Sequence, residues 1–235
     1  MTKIGIAGIN GRMGQGLLRE LESGAWAGLA FGSGSTSSDD PAALFQDNHV
    51  VIDFTTPTAT RAHLALAVQY KKPLIIGTTG LTDADLQAMK DAAKNCALLY
   101  SANMSVGVNL LAALVEQAST RLGHDFDVEI METHHRNKVD APSGTALMLG
   151  RATGREAAPI DRSGKRETGT LGYAVQRGGD VIGEHSVNFY GPGERIELTH
   201  RAHDRGLFAK GALRAAQWLK EKPHGFYTMR DVLGL

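Results

Sequence analysis

The chain has 235 residues, of which 42% are apolar, so it is long and hydrophobic enough to fold and is not a disordered segment. Lys plus Arg and Asp plus Glu each total 25, and this balance argues against a general nucleic-acid or membrane-surface binder. The single cysteine, Cys96, excludes both an internal disulfide framework and a cysteine-cluster metal site. Because the sequence shows no apolar run of about 20 residues and no signal-peptide pattern at its start, we expect a cytoplasmic protein.

The first hundred residues alternate short apolar runs with helical patterns. Near-continuous apolar runs are typical of strands buried on both faces, and they cover residues 4–7, 29–31, 50–54, 74–76 and 97–100. Helices are predicted between them over residues 11–23, 57–70 and 82–95, the last with Thr82 as its N-cap. Alternating strands and helices predict an α/β fold, with a Rossmann-type domain built on a doubly wound parallel sheet.

The pattern changes after residue 120. The predicted elements are a strand over 127–133, a helix from Ser143 to about 153, antiparallel strands over 180–190 and 195–201, and a last helix over 206–220. The polar stretch 154–172 is predicted as a loop or lid. Together these elements predict a second, smaller α+β domain with a mixed or antiparallel sheet.

The charges balance over the whole chain but not within its halves. Residues 1–133 carry nine Lys and Arg against 14 Asp and Glu, a net charge of −5, whereas residues 134–235 carry 16 against 11, a net charge of +5. The basic second half either faces an anionic molecule or presents scattered, solvated surface charges.

A glycine-rich turn follows the first predicted strand, with Asn10 in the place of the second glycine of the G-x-G-x-x-G fingerprint. Gly8 permits the tight turn, Gly11 lets backbone N–H groups approach a pyrophosphate, and Gly14 lets the following helix pack on the strand. The turn therefore predicts a dinucleotide site, and a glycine turn used only for packing is the alternative. The predicted cofactor-binding residues of this turn are Gly8, Ile9, Asn10, Gly11, Arg12 and Met13.

The residues after the second predicted strand bear on the choice of cofactor. An acidic residue about 20 positions beyond the glycine turn would bind the ribose 2′-hydroxyl of NAD, but here Ser33 and its neighbours stand there, and Asp39 comes later. Without that carboxylate a 2′-phosphate is not repelled, and Ser33, Ser35, Thr36 and Arg12 can bind it. We therefore expect NADPH or NADH as cofactor, with NADPH favoured; an ordinary flexible loop is the alternative.

Small and hydroxylated residues follow three further predicted strands, at the ends where ligands of such sheets bind. One set is Phe54 to Thr56. The other two sets supply further predicted cofactor-binding residues, namely Gly77, Thr78, Thr79, Ser101, Ala102, Asn103 and Met104.

Residues 134–138 concentrate basic and titratable side chains, with His134, His135 and Lys138 among them. Histidine titrates near neutral pH and lysine is a compact cation, so the segment indicates proton transfer and anion binding. A metal site is a weaker interpretation, because adjacent histidines cannot easily share one metal and no carboxylate stands at helical spacing. A solvated basic loop is the remaining alternative.

A turn after this segment leads into a predicted helix. Ser143 is a good N-cap, and the N–H groups of Gly144 and Thr145 would point at an incoming carboxylate. The other histidines carry no comparable motif. Those near the second-domain strands, His185, His200 and His203, are predicted to pack or hydrogen-bond, and His49, His63 and His124 have no assigned role.

Several of these segments together resemble the dihydrodipicolinate reductase family, nearly from end to end. The matching segments are Gly8–Gly14, Gly77–Gly80, Asn103–Asn109, Glu132–Ala146, Gly183–His185 and Met229–Leu233. The segment His-His-x-x-Lys-x-Asp-Ala-Pro-Ser-Gly-Thr, which begins at His134, is the most specific of them.

This resemblance implies a cytoplasmic enzyme of the diaminopimelate route to lysine, commonly a homotetramer assembled through the second-domain sheets. It implies that NAD(P)H reduces a small cyclic imine with two carboxylates, dihydrodipicolinate or its 4-hydroxy-tetrahydro form, to tetrahydrodipicolinate. His134 corresponds to a proton donor and acceptor and Lys138 to a proton donor. His135, Gly144 and Thr145 would bind substrate. No nucleic-acid, membrane or metal partner is implied.

The resemblance also implies that the C-terminal segment returns to the cofactor domain. We therefore predict a dinucleotide-binding domain over residues 1–103 and 204–235, and a substrate-binding and oligomerisation domain over 104–203. The sequence departs from the family in the uncharged residues after the second strand and in a trimmed segment before residue 50.

Two other functions remain open. One is another two-domain NAD(P) oxidoreductase, although Cys96 lies before an apolar strand and lacks the surroundings of a semialdehyde dehydrogenase nucleophile. The other is a non-catalytic dinucleotide sensor of redox state, which would keep the glycine turn but has no need of His134, His135 and Lys138 together.

Overall fold

The computed structural model describes residues 1–158 and 164–235 and divides into two units, Met1–Val106 with Gly206–Leu235, and Gly107–Arg205. The strands are β1 Thr2–Ala7, β2 Leu29–Ser35, β3 Val50–Asp53, β4 Leu74–Ile76, β5 Ala97–Tyr100, β6 Asp127–His134, β7 Leu171–Arg177, β8 Gly183–Gly191, β9 Glu194–Ala202 and β10 Gly225–Tyr227. The helices are α1 Arg12–Glu22, α2 Pro41–Asp47, α3 Pro57–Tyr70, α4 Asp83–Ala92, α5 Val106–Leu122, α6 Gly144–Thr153, α7 Gly206–Leu219 and α8 Met229–Leu233, with a short 3₁₀ helix at Gly123–Asp125.

The first unit is built on a six-stranded sheet in the order β10-β5-β4-β3-β1-β2, and all neighbouring strands are parallel. Successive strand residues point to opposite faces, so Val50 and Ile52 pack with α1 and α7 whereas Val51 packs with α2, α3 and α4. Helices on both faces explain why these strands read as continuous apolar runs. The predicted Rossmann-type parallel sheet is confirmed.

The C-terminal residues return to this unit. Helix α7 packs against α1, and β10 pairs with β5 through Phe226 and Leu98. Gly211 of α7 lies so close to the backbone that an added Cβ would stand 1.7 Å from the carbonyl oxygen of Met104. This contact fixes α7 against the chain just after β5.

The second unit contains a four-stranded mixed sheet in the order β7-β6-β8-β9. Strand β7 runs parallel to β6, and the other two neighbouring pairs are antiparallel. Helices α5 and α6 cover one face, where Val128, Ile130, Val187 and Phe189 are fully buried. The predicted second domain with a mixed sheet is confirmed, including its antiparallel strand pair.

Several elements differ from the sequence-based expectations. Helices α2, α5 and α8 and strand β10 were not predicted, and α4 ends at Ala92 rather than at residue 95. The predicted loop over 154–172 is wrong at its end, because β7 begins at Leu171 and Ala157 forms a bridge with it. Residues 159–163 of that predicted loop lie outside the described residues.

Candidate functional site

The glycine turn lies where the strand order of the first unit reverses. From β1 the chain continues to β2 on one side and then to β3 on the other, so the carboxyl ends of β1 and β3 border a crevice. Gly8 has a positive φ of 78°, and a Cβ there would lie 3.0 Å from the Thr55 side chain and 3.3 Å from the Phe54 carbonyl oxygen. The predicted turn therefore adjoins the predicted segment after β3.

No side chain caps the backbone N–H groups at the start of α1. Gly11 is the N-cap of α1 without a side-chain cap, and the next N–H groups, of Arg12, Met13 and Gly14, lie in the first turn, where no intrahelical acceptor exists. A Cβ on Gly14 would be 2.3 Å from the Gly8 carbonyl oxygen, so glycine alone permits this approach. Uncapped N–H groups at a positive helix end fit a dinucleotide pyrophosphate.

A buried carboxylate holds the segments that follow β3 and β4. Asp53 is fully buried, and it accepts hydrogen bonds from Thr55 N and Oγ1 at 2.9 and 2.6 Å and from Thr60 Oγ1 at 2.9 Å. Its second oxygen also lies 2.9 Å from His63 Nδ1, and the hydroxyl oxygens of Thr60 and Thr78 lie 2.8 Å apart. The hydroxyl of Thr78 therefore faces this network, whereas Thr79 is exposed beside it.

Side chains close the turn after β5. Ser101 Oγ donates to the Asn103 carbonyl at 2.7 Å, and Asn103 Oδ1 accepts from the Ser105 N–H at 2.9 Å. Met104 is buried in the core, while Ala102 is exposed. Two of the four predicted residues here, Ser101 and Asn103, thus shape the segment through their own hydrogen bonds.

The end of β2 differs from the sequence-based picture. Ser33 Oγ accepts from Asn48 Nδ2 at 2.7 Å, so this hydroxyl is partly engaged within the unit. The chain also turns back so that Asp39 accepts from both N and Oγ1 of Thr36 at 2.7 Å. A carboxylate therefore does stand beside the end of β2, four positions after Ser35, its last residue. These hydrogen bonds from Thr36 lower the pKa of Asp39 and keep it charged.

In the second unit the end of strand β6 places the imidazole of His134 against a buried glutamate, Glu132. Glu132 and His134 lie two residues apart on β6 and point to the same face, with Glu132 Oε2 2.5 Å from His134 Nδ1. Arg177 lies opposite His134 in the β6–β7 register and donates to both Glu132 oxygens at 2.8 and 2.9 Å. Both Glu132 and His134 are buried.

The charges around this pair oppose one another. Burial acts to raise the pKa of Glu132, but hydrogen bonds from Arg177, His134 and Ser143 outweigh it, so that pKa lies below its usual value. Burial lowers the pKa of His134, Glu132 counteracts this, and the positive charges of Lys138 and Arg177 lower it further, with a net decrease. Neutral His134 and ionised Glu132 are therefore the stable forms near neutral pH.

Lys138 lies on the loop that follows β6. Its Nζ donates to Asp140 Oδ1 at 2.8 Å, and its backbone N–H donates to the His135 carbonyl at 3.1 Å. His135 is half-buried on the same loop. Thus the predicted residues His134, His135 and Lys138 do come from one strand end and its loop.

The N-terminus of α6 adjoins the same glutamate. Ser143 caps the helix by accepting from the Ala146 N–H at 3.1 Å, as predicted, and its own N–H donates to Glu132 Oε1 at 3.0 Å. Space is open beside Gly144, where an added Cβ would meet nothing within 4 Å. The first-turn N–H groups of Gly144 and Thr145 follow this cap, at the positive end of the helix dipole, where an anion is stabilised.

Sequence reasoning missed several buried partners. His185 Nε2 lies 2.9 Å from Ser143 Oγ and its ring packs edge-on against His134 with centroids 5.0 Å apart. Glu132, Arg177 and Asp53 were likewise not identified as site residues. The signal available for Glu132 was its i, i+2 spacing to His134 on a predicted strand, whereas Arg177 gave none because β7 was not predicted.

Two absences hold for the part of the chain that the structure describes. No group of three or more His, Cys, Asp or Glu side chains there is arranged to hold a metal ion. No helix there is long and apolar enough to cross a membrane.

A parallel sheet with an uncapped glycine turn at its crevice, and a second unit with a histidine–lysine site, define a two-domain oxidoreductase that uses a nicotinamide dinucleotide. The family model for the N-terminus of dihydrodipicolinate reductase matches residues 2–104, and the model for its C-terminus matches residues 107–233. The chain belongs to the dihydrodipicolinate reductase family.

Individual relatives agree with this assignment. The chain is 48% identical to 4-hydroxy-tetrahydrodipicolinate reductase of Zymomonas mobilis, over 100% of this chain and 98% of that protein. It is 45% identical to the protein of the same name from Brucella abortus, over 98% of each. Among solved structures, dipicolinate-bound dihydrodipicolinate reductase from Paenisporosarcina sp. TG-14 shares the fold, with a TM-score of 0.81, 22% identity and 97% of each chain covered.

Proposed function

We propose that this chain catalyses the NAD(P)H-dependent reduction of 4-hydroxy-tetrahydrodipicolinate, or dihydrodipicolinate, to tetrahydrodipicolinate, a step of lysine synthesis through diaminopimelate. The observation that carries the proposal is the position of His134. Its buried ring is hydrogen-bonded to Glu132, which also accepts a hydrogen bond from the N-terminus of α6, and the loop of Lys138 follows directly in the chain. This arrangement supplies proton transfer and anion binding in one place, as a cyclic imine with two carboxylates requires.

The predicted site residues of the second unit each have a role in this reaction. His134 exchanges a proton through Nε2, since Nδ1 is occupied by Glu132. Lys138 donates a proton, for which its ammonium must exchange Asp140 for the substrate. His135 contacts the substrate, and Gly144 and Thr145 hold one carboxylate with the first-turn N–H groups of α6. The cationic surroundings neutralise the second carboxylate.

The first unit binds the cofactor, which supplies the hydride when bound. The pyrophosphate is held by N–H groups in the turn from Gly8 to Met13, and the segments of Gly77 to Thr79 and Ser101 to Met104 line the nicotinamide side. The hydride adds to one ring carbon of the substrate, a second ring position accepts the proton, and the hydroxylated form also loses water. The buried Asp53 network keeps the β3 and β4 segments in place.

We propose that both cofactors are accepted and that NADPH is preferred. Arg12 and the hydroxyls near Ser33 favour a 2′-phosphate, while the Asp39 carboxylate opposes it. The ratio of kcat/KM for NADPH and NADH measures the balance between these groups.

We further propose a cytoplasmic homotetramer assembled through the second-unit sheets. The half-exposed apolar side chains Met131 and Tyr190 on strands of that sheet support this assembly. Light scattering of the purified chain measures the mass directly, and a monomeric mass would contradict the tetramer.

The function is tested by following NADPH and NADH absorbance at 340 nm, with substrate made in situ from pyruvate and aspartate semialdehyde by the condensing synthase. The proposal expects consumption that depends on the synthase. If both cofactors bind but neither is consumed, the reductase proposal is wrong and a dinucleotide sensor is favoured.

Two variants then test the assigned proton donors. We expect His134→Ala and Lys138→Ala to lose turnover by about 10²-fold or more while they keep cofactor affinity. His124→Ala, an exposed histidine of the same unit, is the matched control and should retain turnover. Wild-type rates in both site variants would refute these roles.

A further inference from the structure

We propose that Glu132, held by Arg177, is a positioning residue that fixes the tautomer and orientation of His134 and ties it to the Lys138 loop and to the start of α6. This inference rests on the proposed function only in that His134 exchanges a proton with the substrate. It adds two residues, Glu132 and Arg177, to the machinery of the reaction, neither of which needs to touch the substrate.

The first argument is the complete engagement of the Glu132 carboxylate. Its side chain is fully buried, and each oxygen has two donors. Oε2 faces His134 Nδ1 at 2.5 Å and Arg177 Nη1 at 2.8 Å, and Oε1 accepts from Arg177 Nη2 at 2.9 Å and from the Ser143 N–H at 3.0 Å. A buried carboxylate with four donors cannot rotate without leaving donors unpaired.

The second argument concerns the His134 tautomer. An ionised carboxylate only accepts hydrogen bonds, so the proton of neutral His134 must lie on Nδ1. Nε2 is then the nitrogen that exchanges protons. A Cβ added at Gly183 would lie 3.0 Å from this nitrogen, so glycine at this position leaves Nε2 uncovered on that side.

The third argument is the reach of the Arg177 guanidinium. Besides the paired bonds to Glu132, its Nη2 donates to the Asp140 carbonyl at 2.7 Å and its Nε donates to the Lys138 carbonyl at 3.3 Å. One planar group therefore holds both the carboxylate behind His134 and the backbone that carries Lys138. The Glu132–Arg177 pair thus links both proton-transfer residues.

The charges that face His134 come from three directions. Glu132 on β6 is the only anion among the contacts described for its ring, Arg177 on β7 and Lys138 on the loop are cations, and His185 on β8 packs edge-on against it. Removing the Glu132 charge takes away the anion that faces the ring, while Arg177 stays positive and Lys138 keeps its pair with Asp140. The pKa of His134 should then fall further, and the pH limb that it controls should move to lower pH.

The test compares Glu132→Gln with two further variants. In Glu132→Gln the amide can donate to Nδ1, which moves the imidazole proton to Nε2. We expect kcat to fall by about 10²-fold or more while the dissociation constant for NADPH stays within about twofold. Nitrogen-15 NMR of the histidines should show the His134 tautomer change, a readout that a merely structural role does not move.

A double variant covers the case in which Glu132→Gln fails to fold because Arg177 is left without its anion. Glu132→Gln with Arg177→Gln removes both charges and should restore thermal stability but neither kcat nor the wild-type pH profile. The matched control is Glu129→Gln, which removes a carboxylate from the same strand and its contact with Arg166 but does not touch His134. This control should keep wild-type kcat.

Two results would overturn the proposal. One is Glu132→Gln with unchanged tautomer and with kcat within about threefold of the wild type, a smaller loss than a disturbed general acid–base group gives. The other is a double variant that regains kcat together with stability, which would mean that Glu132 only neutralises Arg177. If the wild type itself shows no turnover, the proposed function fails, yet the NMR comparison still tests whether Glu132 sets the tautomer.

Discussion

The glycine turn offers a sharp test, because two glycines of one helix differ in their surroundings. At Gly14 an added Cβ would lie 2.3 Å from the Gly8 carbonyl oxygen and 2.6 Å from the Ile9 Cα. Both atoms belong to the backbone and cannot rotate away. At Gly16 the nearest atom would be the Ala209 Cβ at 3.6 Å, which is an ordinary contact.

The magnitudes follow from this geometry. Alanine within a helix gains about 1 kcal/mol over glycine, and overpacking costs about 1–3 kcal/mol, with the upper end expected against rigid backbone. Gly14→Ala should therefore destabilise the first unit by about 2 kcal/mol, whereas Gly16→Ala should stabilise it by up to about 1 kcal/mol. For a chain of this size these changes correspond to a Tm lowered by about 4–8 °C and raised by about 2–4 °C, respectively.

Calorimetry and NADPH titration together check this prediction. Because the clash displaces the first turn of α1 from the glycine turn, Gly14→Ala should also weaken NADPH binding by about tenfold or more, equivalent to about 1.4 kcal/mol. Gly16→Ala should leave NADPH binding unchanged. Equal Tm and equal NADPH affinity in the two variants would refute the argument that the helix end is held against the backbone of the turn.

Three further predictions concern other parts of the chain. Asp39→Asn removes the negative charge of the carboxylate that hydrogen-bonds Thr36 and that would repel a 2′-phosphate. The ratio of kcat/KM for NADPH to that for NADH should therefore rise several-fold. An unchanged ratio would place Asp39 away from the ribose. Thr82→Ala removes the N-cap of α4, where Thr82 and Asp85 bond each other's backbone N–H, and should cost about 1 kcal/mol by thermal or urea unfolding; no loss would mean that the cap is replaced by water. Burial lowers the pKa of His185 to about 4, whereas an unfolded histidine has a pKa near 6.5, so the unfolded chain binds the proton first as pH falls. The unfolding free energy should therefore be fully retained above pH 6.5 and should decrease by about 3 kcal/mol between pH 6.5 and 4. His185→Gln should remove this part of the pH dependence. Urea titrations across that pH window would measure both effects.

Much of the first unit was predictable because its signals are local. The strand and helix patterns up to residue 100 depend on neighbouring residues, and the structure has those strands and helices close to the predicted bounds, except that β2 continues to Ser35 instead of ending at residue 31. The same holds for the caps, since Thr82 and Ser143 each bond an N–H three residues ahead. No prediction covered helix α5, although it has 17 residues.

The second unit was harder to predict because its sheet is assembled from distant strands. Strand β7 lies beside β6 in parallel register, yet Leu171 and Val128 are 43 positions apart, and helix α6 lies between them in the chain. Parallel neighbours need a long connection, so local sequence gives little sign of which strand is the partner. Strand β10 joins β5 for the same reason, through a return of the chain after α7.

The sequence by itself determined the parallel α/β pattern, the glycine turn and the His134–Lys138 segment, because each depends on residues close together in the chain. Only the tertiary structure decided which side chains stand behind them. Arg177 reaches Glu132 across 45 positions, and Asp53 meets Thr78 across 25. Such pairs form where strand register brings buried charges and hydroxyls together, and burial then requires that each find a partner.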